Sequence, residues 1–307
     1  MNKKCAQVQN MTNFSHDQAA GLRNLVTLQT DSSTRVITVT GGAKGVGRTE
    51  VTVNLAAALA EQNKRILLID ENAYPHNICT RLGLKARFDL AHVIRQDRKL
   101  EQVIVPGPDN IFVLPAQRGI HALTGLNRAD QERLITCFSQ ITEPIDFILI
   151  DTAMNAETQV LPLSLASEQV MVVISGSAVS LTGAYALIKM MNREYAKRHF
   201  LVFINKAETK LIAQNVFENF ACIVQRYLGI SPEFAGFTEL DEKISQSRRL
   251  CKPALSLFPD SQTGNNFRLL AENVLYAPRR DYFNGLVESF MQRLIHTSHL
   301  SMTNLTV

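Results

Sequence analysis

An α/β fold built on a doubly wound, mostly parallel sheet is predicted by three features of this 307-residue sequence. Short runs rich in β-branched residues alternate with stretches of helical length, the pattern of repeated strand–helix units. Those runs are apolar at nearly every position, as strands covered by helices on both faces are. A glycine-rich segment also separates the first run from the helix after it. In such sheets, the loops at the carboxyl ends of strands bind ligands.

In chain order, residues 1–14 are polar. The start MNKKCAQVQNMTNFSHDQ has basic residues but lacks the apolar stretch of a signal peptide. Ser15 and Gln18 have capping-box spacing and open a short helix through about Leu28. Thr30–Thr34 (TDSST) reads as a linker. Strands are predicted at Val36–Thr40, Ile66–Ile69, Ile111–Leu114, Phe147–Ile150, Val170–Ile174 and Phe200–Ile204. Helices are predicted at Val51–Gln62, Arg128–Ile141, Leu181–Ala196 and Leu211–Tyr227. Near the end, Asp281–Ile295 carries Tyr282, Phe283, Leu286, Val287, Phe290, Met291, Leu294 and Ile295 at i, i+3/i+4 spacing, a helix with one apolar face. Residues after His296 read as a loose tail. The expected organisation is an N-terminal extension (1–34), a sheet domain (35–278), an amphipathic helix (279–296) and a tail (297–307).

Composition narrows the function classes. Apolar residues make up 46% and charged residues 20%, ordinary for a globular protein. A net charge of +4 is too mild to argue for nucleic acid. No apolar run approaches the roughly 20 residues of a membrane span. The five cysteines form no C-x-x-C pair, which argues against a disulfide frame, zinc site or iron–sulfur cluster and fits a reducing cytoplasm. The histidines show no metal-ligand spacing.

The segment Val39–Glu50, VTGGAKGVGRTE, has the outline of a phosphate-binding loop. Such a loop aims backbone N–H groups at phosphate, aided by the positive end of the next helix. Its terminal lysine reaches the outer phosphates and its Ser/Thr holds Mg²⁺. Gly42, Ala43, Lys44, Gly45, Val46 and Gly47 form the candidate nucleotide loop. Arg48 stands where the pattern has lysine, and Thr49 is the candidate metal ligand. Asp70 and Asp151 each end an apolar run, where a carboxylate is costly without a partner. Mg²⁺, directly or through water, is the usual partner in a phosphate-loop site.

Two further motifs extend the pattern. Asp17-Gln18-Ala19-x-x-Leu22-Arg23 matches a DQAxxLR motif, and Ser180–Lys189 (SLTGAYALIK) parallels SITDAYALIK. With the loop, these residues resemble the MinD/ParA group of deviant P-loop ATPases and, within it, the flagellar-number regulators of FlhG/FleN type. The similarity runs from about Ser15 to Ile295 and implies a single SIMIBI-type domain. It implies bound ATP or ADP with Mg²⁺ on Thr49, Asp70 and Asp151, and a base contact from Asn205. It implies docking of the Asp17, Gln18, Leu22 and Arg23 helix on an SRP-type GTPase (FlhF), whose hydrolysis it stimulates. It also implies dealings with a flagellar transcription regulator. The C-terminal helix, with Phe283, Leu286, Val287, Phe290, Met291 and Leu294, stands where the family has a membrane-targeting helix. Peripheral contact at the inner face of the membrane is then one reading. Packing of the helix on its own domain is the other.

Three site positions depart from the family pattern. The signature lysine that reaches across a dimer is Ala43, so no nucleotide-driven homodimer is expected. The second lysine is Arg48, whose planar fork does not replace a compact ammonium neutrally. The second aspartate of the family's D-x-D is Asn72 in Asp70-Glu71-Asn72, which cannot orient water as a carboxylate does. Lys44 stands at a glycine position, which is costly if its φ is positive. The expectation is a binding module with absent or very slow hydrolysis. The alternative is a working ATPase switch using Arg48 and Lys44 in place of the usual lysines.

Overall fold

The computed structural model describes residues 34–140, 144–153, 161–277 and 287–303. Asp17, Gln18, Leu22 and Arg23 lie outside these residues, as do Phe283 and Leu286.

Eight strands form one sheet: β1 (Arg35–Thr40), β2 (Ile66–Asp70), β3 (Val105–Pro106), β4 (Ile111–Pro115), β5 (Phe147–Asp151), β6 (Gln169–Ile174), β7 (Leu201–Ala207) and β8 (Glu233–Glu239). Their order is β3-β4-β2-β5-β1-β6-β7-β8. All neighbours are parallel except β3, which pairs antiparallel with β4. The order reverses direction at β1, which lies between β5 and β6, so the loop after β1 opens at a switch point of the sheet.

The double-sided apolar pattern has a direct cause. Alternate residues of each inner strand enter different cores. Ile37, Val39, Leu68, Leu149 and Val173 pack with the Arg48–Ala60 and Gln262–Tyr276 helices on one face. Val36, Leu67, Ile69, Ile148 and Ile150 pack on the other face, with Leu134 and Phe138 of the Arg128–Ser139 helix. At the β7 side, Val172 and Val202 meet Ile188 of the Ala178–Tyr195 helix and Val224 of the Lys210–Leu228 helix.

The predicted strands and long helices match the observed ones to within a few residues. Two strands escaped the reading. β8 (EFAGFTE) is polar at several positions and carries Gly236 at φ 146, with the Phe203 ring against it. β3 has two residues, too few for any periodicity. The Glu242–Arg249 and Gln262–Tyr276 helices were also not predicted.

The expected loose tail after His296 is corrected. The C-terminal helix runs Val287–Thr303 and packs on the Leu161–Ala166 and Arg128–Ser139 helices. Phe290, Met291, Leu294 and Ile295 are buried with Leu134, Phe138 and Leu163. Polar contacts carry the helix past His296: Thr297 Oγ1 donates to the Pro162 carbonyl at 3.0 Å, and Ser298 is buried.

Candidate functional site

The loop after β1 leads into the Arg48–Ala60 helix, which is buried from Glu50 onward. Gly47 caps that helix at φ 96 and ψ 28, a left-handed conformation that disfavours side chains. There is no room for one either, since a Cβ on Gly47 would come 2.2 Å from Asn205 Nδ2. Gly45 is also left-handed, at φ 75. Lys44 is not among the residues of positive φ, so the anticipated strain at this glycine position does not arise. Its side chain is exposed, while Ala43 is buried in the core beneath the loop.

The acids gather where β2 and β5 end side by side. Asp70 and Asp151 are register partners on these neighbouring parallel strands. Asp70 Oδ2 accepts from the Ile78 amide at 2.6 Å, and its Oδ1 accepts from the Asn72 amide at 3.0 Å. Its carboxylate is therefore used to shape the turn after β2. Asp151 Oδ2 accepts from Thr49 Oγ1 at 2.5 Å and from Asn72 Nδ2 at 2.8 Å. Asp151 Oδ1 is buried and has no partner. Asn72 thus bridges the two carboxylates, with its Nδ2 also 3.2 Å from Asp70 Oδ1.

Burial raises all three carboxyls of this corner. Asp70 is pushed up to about 6, against the opposing pull of its hydrogen bonds from Asn72 and Ile78. Glu71 is pushed up to about 7, with the Ala153 amide and Arg48 pulling the other way. Asp151 is pushed up to about 8 by burial and by the Asp70 charge, with Thr49 and Arg48 opposing. Arg48 is largely buried near this corner. Burial lowers its pKa, and the charges of Asp151 and Glu71 hold it up. One guanidinium nitrogen, Nη1, is buried without a partner. Both Arg48 and Asp151 therefore hold unmet polar capacity, of opposite sign, at one place.

This donor set fits a divalent cation with a phosphate. Thr49 Oγ1 lies beside Asp151, and the orphan Asp151 Oδ1 has capacity to spare. Mg²⁺ in such sites relies on a few protein oxygens plus water and phosphate rather than a protein cage. Among the described residues no group of three or more His, Cys, Asp or Glu side chains could hold a metal. Asp70, already accepting two backbone N–H bonds, would act behind Asp151 rather than beside it.

Asn205 ends up against the loop. Its Nδ2 donates to the Val46 carbonyl at 2.7 Å, and its Oδ1 accepts from Thr238 Oγ1 at 2.5 Å. One N–H remains for any base. Lys206 Nζ donates to the Gly45 carbonyl at 2.6 Å.

The sequence reading passed over several residues that shape the site. Glu71, Lys206 and Thr238 touch or face it, and Gly183 lies against Gly42. The Glu50–Arg81 ion pair is buried one residue beyond Thr49, at 2.7 Å. Glu71 could have been found from its place between Asp70 and Asn72. Nothing in the sequence marks Thr238 or Arg81.

The family described as an AAA domain matches residues 34–202. The antiactivator FleN of Pseudomonas aeruginosa is 32% identical over 261 residues, spanning 85% of this chain and 93% of that protein. The flagellum site-determining protein YlxH of Helicobacter pylori is 24% identical over 208 residues, 66% of this chain and 67% of that protein. Among solved structures, the MinD cell division protein of Aquifex aeolicus superposes with a TM-score of 0.63 at 19% identity, covering 79% of this chain and 97% of that one. The septum site-determining protein MinD of Pyrococcus horikoshii, complexed with Mg-ADP, gives 0.60 at 23% identity, covering 78% of this chain and 96% of that one.

Proposed function

The chain belongs to the MinD/ParA family of P-loop ATPases, and from that premise we propose that it is a regulator of flagellar number and placement. It works mainly as a protein-binding module, with a nucleotide site altered away from turnover. The YlxH relative supports the flagellar role by name, and the FleN relative, an antiactivator, supports a regulatory one. The altered site rests chiefly on one observation. Where the family's loop lysine would face phosphate stands Arg48, largely buried, under the electrostatic influence of Asp151 and Glu71 and with Nη1 unpartnered.

Each residue has a part in that reading. The N–H groups of the loop, curved by Gly45 and Gly47, would cradle the phosphates of ATP or ADP. Thr49 and Asp151 would hold Mg²⁺, which supplies charge neutralisation to the phosphates. Asn72, with its Nδ2 bound to two carboxylates, lacks the anionic oxygen that would orient attacking water. Hydrolysis is therefore absent or very slow. Ala43 carries no charge to a second subunit, so nucleotide does not drive a homodimer.

The partner reading rests on Asp17, Gln18, Leu22 and Arg23. A Gln and an Arg presented on a short helix can complete a phosphoryl-transfer site in trans. The proposed target is an FlhF-like SRP-type GTPase, with a flagellar transcription regulator as a second partner. Replacing Gln18 and Arg23 together by alanine is expected to abolish stimulation of the GTPase. Unchanged GTP turnover in the presence of the double variant would remove this assignment.

A further inference from the structure

The phosphate loop is tethered from outside at both ends by side chains and backbone of the protein itself. At its start, Gly42 lies against Gly183 of the Ala178–Tyr195 helix. A Cβ on Gly42 would come 1.9 Å from the Gly183 carbonyl carbon, and one on Gly183 would come 2.0 Å from the Gly42 oxygen. Only two glycines permit backbones this close. At its far end, the carbonyl of Val46 accepts from Asn205 and that of Gly45 accepts from Lys206. Thr238 of β8 fixes the Asn205 amide in turn. Lys206 reaches Gly45 from a backbone at φ 62, a left-handed conformation that is strained for a lysine. Meanwhile nothing lies within 4 Å of where a Cβ on Gly45 would point. The tethers therefore grip the loop's carbonyls and leave the surroundings of Gly45 open.

We propose that Lys206, with Asn205 behind it, is a positioning residue that holds this loop in its anion-cradling curve when no nucleotide is bound. The physical reason is the division of labour in a phosphate loop. Its N–H groups converge on the anion, so the anion orders them. Here the opposite edge of the same peptides is already fixed by two side-chain donors, one of them charged. Lys206 also brings a positive charge to a loop from which Ala43 has removed one. The loop keeps one shape with and without phosphate, so this region presents the same surface to partners in either state. This goes beyond the regulator reading and holds whichever partner the chain serves.

Backbone ¹⁵N relaxation of the full-length, nucleotide-free protein tests it, read at the amides of Gly45, Val46 and Gly47. In the wild type their order parameters are expected near the rigid-backbone value of about 0.85. Lys206→Met keeps the stem and removes the donor, and should lower them toward about 0.6. Lys206→Arg should restore them, and inorganic pyrophosphate should restore them in Lys206→Met. Low order parameters in the wild-type loop would overturn the proposal, as would unchanged values in Lys206→Met. A loss of order spread through the Lys210–Leu228 helix would overturn it too, because Lys206 would then support the fold rather than the loop.

Discussion

Arg48 and Asp151 are the residues on which the site's chemistry turns. The arginine is largely buried, within the electrostatic influence of Asp151 and Glu71. An ammonium at position 48 would be more compact than this planar fork. Arg48→Lys is therefore expected to bind ATP and ADP with Mg²⁺ more tightly than the wild type, measured by calorimetry. Equal affinities would show that the arginine does not obstruct the loop. The acids themselves make a pH prediction. Asp151 and Glu71 have folded pKa values of about 8 and about 7, raised from ordinary values of 3.8 and 4.5. The folded state thus holds protons that the unfolded state has released, so their contribution is full below about 4 and is lost as pH rises through about 8. Asp151→Asn keeps a side-chain oxygen to accept from Thr49 and removes the buried charge. Its Tm should match or fall below the wild type at pH 5 and exceed it by a few degrees at pH 8. A constant difference across that range would show that Asp151 does not titrate there.

At the level of elements, the helix after the loop is held by a buried network. Glu50 in its first turn pairs with Arg81 of the short Ile78–Arg81 helix and accepts from Asn54 Nδ2 at 2.7 Å. Arg81 goes on to donate to the carbonyl oxygens of Ser247 and Lys252, at the end of the Glu242–Arg249 helix. Three elements distant in sequence thus meet one residue beyond Thr49. Arg81→Met leaves buried Glu50 only the exposed Arg248, with Nε at 4.0 Å, as a cation and is expected to cost about 3 kcal/mol, read from urea unfolding. Glu50→Gln combined with Arg81→Met should cost less than Arg81→Met alone, because no charge is then stranded. The strand ends were legible at this scale because uninterrupted apolar runs have few alternatives. The Ile78–Arg81 and Glu242–Arg249 helices were not, because each is short and is stabilised by contacts from elsewhere in the chain.

Across the whole molecule, the C-terminal helix closes one face of the sheet domain. Phe290, Met291 and Leu294 are buried against Leu134, Phe138 and Leu163, so the same side chains cannot also enter a lipid surface. Among the described residues no helix is long and apolar enough to cross a membrane. The docked arrangement therefore predicts that the wild type stays at the bottom of a flotation gradient with anionic liposomes, with or without nucleotide. Flotation of the wild type would mean that the helix leaves its groove. The polar face of this helix carries few cations, consistent with packing rather than lipid binding.

Fold class, the position of the phosphate loop and the family itself could be read from the chain alone. Each rests on residues close together in sequence: a glycine-rich loop between a strand and a helix, and apolar runs that admit only double-sided burial. The altered loop was visible for the same reason, since Ala43, Arg48 and Asn72 stand in local motifs. Folding decided the rest. Only the sheet register sets Asp70 beside Asp151 and leaves one oxygen without a partner. Only packing shows that Gly42 meets Gly183, that Lys206 reaches Gly45, and that Phe290, Met291, Leu294 and Ile295 of the amphipathic helix are buried in their own domain. An amphipathic stripe specifies that a face must be covered, and periodicity carries no information about what covers it. A contact between residues 161 positions apart has no local sequence signature at all.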